Sequence, residues 1–130
     1  MNSRNPYTHM RAGAILCTVY VILGAFGAHG LESKLTVAQL ATYHTGLRYL
    51  IVHAIALILT NHTYNQWKTE KKYSNLFFYL GILLFSFGLI VHATKELTGI
   101  GLDVFAHLAP IGGLSFIIGW FFYMSKIGKQ

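Results

Sequence analysis

Four stretches of this chain, about 11–30, 37–62, 75–94 and 104–124, run almost without charge, and this pattern limits the fold more than any other feature. A helix of about 20 mostly apolar residues crosses a hydrocarbon core of ~30 Å. With 130 residues, the chain is a single domain by length. It is 54% hydrophobic and 11% charged, whereas about a quarter of the residues in a soluble domain are charged. A water-soluble fold of this size could not cover so much apolar surface. The pattern predicts an all-α membrane protein, a four-transmembrane-helix bundle with the lipid bilayer as its first partner.

The formal net charge of +6 comes from few basic residues set between the apolar stretches. No basic stripe interleaved with aromatic residues is present, so nucleic acid is not an expected partner. The charge reads instead as topology. With both termini cytoplasmic, the inner side carries Arg4, Arg11, Lys68, Lys71, Lys72, Lys126 and Lys129, and the outer side carries Lys34, Arg48 and Lys95. That seven-to-three split follows the positive-inside rule. Cys17 is the single cysteine, so neither an internal disulfide nor a thiolate zinc cluster can form. The first stretch lacks a clear small-residue cleavage site and is read as a retained span.

Local signals mark several boundaries. Thr36 and Gln39 fit a capping box at the start of helix two, flanked by Leu35 and Leu40 as a hydrophobic staple. The 37–62 helix would be about 39 Å long, so its first turns lie in the interface or tilt. The 65–74 segment reads as a polar connection, with Ser74 as N-cap of helix three. Lys95 to Asp103, with Gly99 and Gly101, reads as a short polar turn. Helix four is long enough to span only if it starts near Val104, which puts Pro110 inside it and predicts a kink. Gly24 with Ala28, and Gly112, Gly113, Ser115 and Gly119, are candidate positions for close helix packing. The run from Trp120 to Tyr123 reads as an interfacial aromatic anchor.

Histidine is the residue type that could carry chemistry, with seven copies in the chain. His29 and His44 lie near the outer ends of helices one and two, and His92 and His107 occupy similar places on helices three and four. Two readings stand for these rings. They could form a ligand set for metal or haem, or they could be amphipathic rings resting at the interface. His53 lies deep in helix two, where an ionisable group is a functional candidate; the alternative is a neutral ring hydrogen-bonded inside the bundle. Arg48 is the one charge well inside a span. Its partner is either an acid at the outer side (Glu32, Glu96 or Asp103) or an anion or lipid head group. Ser86 and Ser115 have no acid nearby to orient a histidine base, and no paired carboxylates or phosphate loop are present.

The segments Gly24-Ala-Phe-Gly-Ala-His-Gly30, Thr45 to Leu57, Phe85-Ser86 and Ala109-Pro-Ile-Gly-Gly to Trp120 resemble the YgdD-like family of membrane proteins. The resemblance runs from about Arg11 to Trp120 and implies a four-helix protein of the bacterial cytoplasmic membrane. It implies no activity, since the family is a domain of unknown function. His29 and His53 fall where the family pattern has histidine, whereas His44, His92 and His107 do not. Ala109 replaces the threonine the family tends to place before the proline.

The leading expectation is a non-enzymatic accessory protein with no cofactor and no metal, packing against copies of itself or within a larger membrane complex. One alternative is a small transporter or channel with a polar path at His29, Arg48, His53 and His44. Another is a haem- or quinone-linked redox protein using His29 with a second histidine.

Overall fold

A computed structural model of the chain describes residues 7–62, 68–100 and 103–125, and these residues are all helix or short connections. Helix α1 covers Tyr7–Phe26 and continues as a π-helical turn, Gly27–Leu31. Helix α2 is Val37–His62. Helix α3 is continuous from Lys68–Gly81 through a π-helical turn, Ile82–Phe87, to Gly88–Thr98. Helix α4 is Val104–Met124. Among the described residues, three helices are long and apolar enough to cross a membrane: Tyr7–Leu31, Lys72–Thr98 and Val104–Met124.

The capping box closes as its chemistry requires. The Thr36 amide donates to Gln39 Oε1 at 2.9 Å, and the Gln39 amide donates to Thr36 Oγ1 at 3.2 Å. Two boundaries differ from the sequence expectation. Helix α3 begins at Lys68 rather than near Asn75, and Ser74 is a buried residue within it rather than a cap. At its other end α3 runs to Thr98, and Gly99 closes it in the left-handed conformation (φ 67°) with its amide on the Lys95 carbonyl. Only glycine adopts that conformation without a Cβ penalty. The expected features at Asn65 to Trp67, at Gly101, and at Arg4, Lys126 and Lys129 lie outside the described residues.

Sequential helices are neighbours: α1 packs on α2, α2 on α3, and α3 on α4. Buried positions on α2 recur at Tyr43, Leu47, Leu50, Ala54, Leu57 and Asn61, alternating three and four residues apart. On a 3.6-residue helix that spacing forms one stripe. The facing stripe of α1 is Gly13, Leu16, Tyr20, Leu23 and Gly27. The close approach is therefore made by Gly13 and Gly27, not by Gly24 and Ala28. A Cβ on Gly13 would lie 2.6 Å from the Ala54 carbonyl oxygen, and one on Gly27 would lie 2.8 Å from the Tyr43 ring, whereas Gly24 meets nothing within 4 Å and Ala28 is exposed. Between α2 and α3, Gly46 lets the Ser86 carbonyl come close, at the π-helical turn. Between α3 and α4, Gly112 sits against the Phe85 backbone and Gly119 against the Phe78 ring, while Gly81 receives the Phe116 ring. Pro110 lies on the exposed side of α4, and the helix continues past it.

Candidate functional site

The most distinctive polar arrangement is built around His53. The stripe of α2 turns this residue inward, where it is 3% exposed. Its ring stacks on Phe116 of α4 with centroids 3.5 Å apart, and it also touches Phe78 of α3. Both nitrogens are engaged: Nδ1 lies 2.8 Å from the Tyr49 carbonyl oxygen, and the Trp120 indole N–H donates to Nε2 at 3.0 Å. A carbonyl can only accept and an indole N–H can only donate. The pair of partners therefore requires the neutral tautomer with its proton on Nδ1. Trp120 is thus tied to the centre of the bundle as well as to its rim; an interfacial anchor alone does not describe it.

A second polar lock joins the far ends of α2 and α3. Asn61 and Asn75 exchange amide hydrogen bonds at 2.9 and 3.0 Å, and Asn61 Nδ2 also donates to the Leu57 carbonyl. Both residues are buried. Thr60 and Ser115 bond carbonyls of their own helices. At the other end of the bundle the Tyr43 hydroxyl donates to the Leu23 carbonyl at 2.6 Å, one turn before α1 widens into its π-helical turn. His9 of α1 meets the Tyr79 hydroxyl of α3 at 3.0 Å.

The remaining histidines do not converge on His53. His29 is exposed in the π-helical turn of α1, and His44 is exposed on α2 with its ring against Tyr43. His107 bonds its own helix through the Asp103 carbonyl. Among the described residues, no three His, Cys, Asp or Glu side chains lie together as a ligand set. Ser74 Oγ, Ser86 Oγ and His92 Nδ1 are enclosed without a hydrogen-bond partner, and so none of them is paired with a base or an acid.

Among the described residues, Arg48 takes none of the three acid partners the sequence offered (Glu32, Glu96 and Asp103). Asp103 pairs with Lys95 at 3.3 Å, and the Arg48 guanidinium donates to Thr45 Oγ1 at 3.2 Å on its own helix. It lines two recesses flanking the exposed side of α2. One of about 660 Å³, toward α1, includes Tyr20, Gly24 and His44. The other, of about 450 Å³ toward α4, includes Val52, His53, Phe116 and Trp120. Arg48 and His53 therefore share a recess, as do Arg48 and His44, while His29 lines neither.

Sequence reading missed Trp120 as a partner of His53 and missed the Asn61–Asn75 pair. The signal for Asn61 was present, since it continues the Leu50, Ala54 and Leu57 stripe and so had to face another helix. Nothing in the sequence fixes the rotation of α4 that aims Trp120 inward.

Apolar helices packed on their sequence neighbours, with His53–Trp120 and Asn61–Asn75 as polar pairs between them, define an integral membrane protein of the helical-bundle class. Residues 23–113 match the family described as "Protein of unknown function (DUF423)". The chain is 34% identical over 110 residues to UPF0382 membrane protein YwdK of Bacillus subtilis, covering 83% of this chain and 85% of that one. It is 33% identical over 108 residues to UPF0382 inner membrane protein YgdD of Escherichia coli, covering 82% and 79% of the two chains. The chain belongs to this DUF423 family, the YgdD-like group of uncharacterised membrane proteins, and is a multi-pass protein of the bacterial cell membrane. No solved structure matches it.

Proposed function

We propose that this protein is a four-span, non-enzymatic accessory protein whose working surface is its outside, where it packs against another membrane chain or a second copy of itself. The observation that carries this reading is that the buried polar groups that reach between helices α2, α3 and α4, His53 and the Asn61–Asn75 pair, are occupied by partners inside the bundle. His53 is held at both nitrogens and Asn61 with Asn75 form a closed pair. A general base or a proton relay needs a group free to exchange its proton, and His53 could do so only by giving up Trp120 or Tyr49.

Helix α2 serves as the fourth span in this reading. It is not among the helices apolar enough to cross by composition alone, but its polar residues His53, Thr60 and Asn61 face inward. Its antiparallel place between α1 and α3 also requires it to return across the bilayer if they cross. The Lys and Arg distribution supports both termini being cytoplasmic. Helix α1 is the surface best suited to receive a partner. It has two buried positions, Gly13 and Gly27, against ten on α2, and it presents Ile15, Ile22 and Phe26 outward.

The test is gentle extraction of the full chain from its own membrane after brief crosslinking. The expected result is a discrete species larger than the monomer with fixed stoichiometry, together with reconstituted vesicles that pass no protons or small ions. A clean monomer that drives ion flux would overturn the proposal.

A further inference from the structure

The exposed side of α2 changes character along its length. Toward its N-terminal end it presents His44, Thr45 and Arg48; beyond them it presents Val52, Ile55 and Leu59, which are 52%, 43% and 64% exposed. Recesses toward α1 and α4 flank this strip, and Arg48 lines both. The α4 side is walled by Phe85, Phe116 and Ile117 and is almost wholly apolar apart from Arg48 and the His53–Trp120 pair.

Arg48 stands about 16 Å along the helix axis from Val37, well below the start of α2. A guanidinium at that depth is costly unless it is paired or reaches the interface. Its bond to Thr45 Oγ1, one turn back, draws it toward the N-terminal end of α2, and no carboxylate among the described residues pairs with it. The one polar contact leaves most of its five donors for a ligand. A cation at the head of an apolar trough is complementary to an acid head group joined to hydrocarbon.

We propose that this strip is a binding site for an acidic phospholipid of the surrounding bilayer. Its phosphodiester is held by Arg48, with Thr45 and His44 beside it, and one acyl chain lies along Val52 and Ile55 against Phe116 and Ile117. Guanidinium binds phosphate oxygens in a bidentate fork, which fixes the head group at this point on the helix.

The probe is Trp120, which lines the trough. The full-length chain carrying Trp67→Phe is placed in lipid nanodiscs containing a minor fraction of chain-brominated lipid, either phosphatidylglycerol or phosphatidylcholine. Quenching of Trp120 is expected to favour phosphatidylglycerol by about fivefold in apparent affinity, which is what one cation contributes near an anionic membrane surface. The preference is expected to vanish in Arg48→Gln, to weaken without vanishing in Arg48→Lys, which keeps the charge but loses the bidentate fork, and to survive in Lys34→Gln, which removes a loop cation on the same side. Equal quenching by both lipids in the unsubstituted chain would overturn the site, and so would a preference lost equally in Lys34→Gln, which would mean diffuse attraction. Co-purification of a free carboxylic acid or a polyprenyl amphiphile that the phospholipid cannot displace would overturn the choice of occupant. The comparison of the two lipids needs no Arg48 variant, so a folding defect in one cannot mask the answer.

Discussion

A methyl group added at Gly112 would sit 2.5 Å from the Phe85 amide nitrogen, and backbone cannot yield as a side chain can. The same methyl at Gly24 would meet nothing within 4 Å. Gly112→Ala is therefore expected to lower thermal stability clearly. Gly24→Ala, within a helix, is expected to raise it by about 0.5–1 kcal/mol, the usual gain over glycine. Melting of the two variants in one detergent checks the contrast, and equal melting points would contradict the packing. At His53, replacement by Ala removes the acceptor of the Trp120 N–H together with the Phe116 stack. The expected loss is about 1–3 kcal/mol, in the range of a buried donor left unsatisfied, with a shifted Trp120 emission. His53→Gln, which keeps an acceptor, should lose less. An unchanged spectrum and melting point in His53→Ala would refute the arrangement. That His53 mattered was readable from its depth in an apolar run, because a ring there must find partners. The identity of those partners depends on helix rotation, which the order of residues along α2 does not encode.

Among the elements, α2 does most to organise the bundle, and its inward polar residues show why. Asn61 and Asn75 satisfy each other across the α2–α3 contact. Replacing either alone by Leu strands the other amide, and replacing both removes the need. Each single variant is expected to lose about 1 kcal/mol, with the double variant recovering part of the loss, a coupling typical of interhelical hydrogen bonds in membranes. Additive losses in a double-mutant cycle would show that the pair does not form. The start of α2 was legible because a capping box is a local, chemically closed unit. The start of α3 was not, because a run of lysines is compatible with a loop or with a helical turn, and nothing local separates the two. The π-helical turns were equally hidden: Gly46 opposite Ser86 and Gly27 against the Tyr43 ring connect each of them to a neighbouring helix, and such contacts exist only in three dimensions.

For the whole molecule, the charge-poor stretches predicted the number of helices and the short connections made sequential helices neighbours, so the broad architecture could be read from the sequence. The polar content of α2 could be read too, but not its destination, since the same residues would have suited a water-filled path. The seven-to-three cation split predicts that cysteines placed at Lys34 and at Ile100, in a Cys17→Ala chain, react with impermeant reagent from outside the cell. Labelling of these sites only after the membrane is opened would reverse the topology. Packing through the outer surface, chiefly along α1, is the role proposed for this protein. The most direct measurement places a photo-crosslinking residue at Ile22 on α1 or at Ile117 on α4, both well exposed, in the native membrane. One discrete adduct is expected from Ile22, either with a second copy or with a single other membrane chain, and only lipid adducts from Ile117. Lipid adducts alone from both positions, with the protein monomeric on extraction, would contradict it.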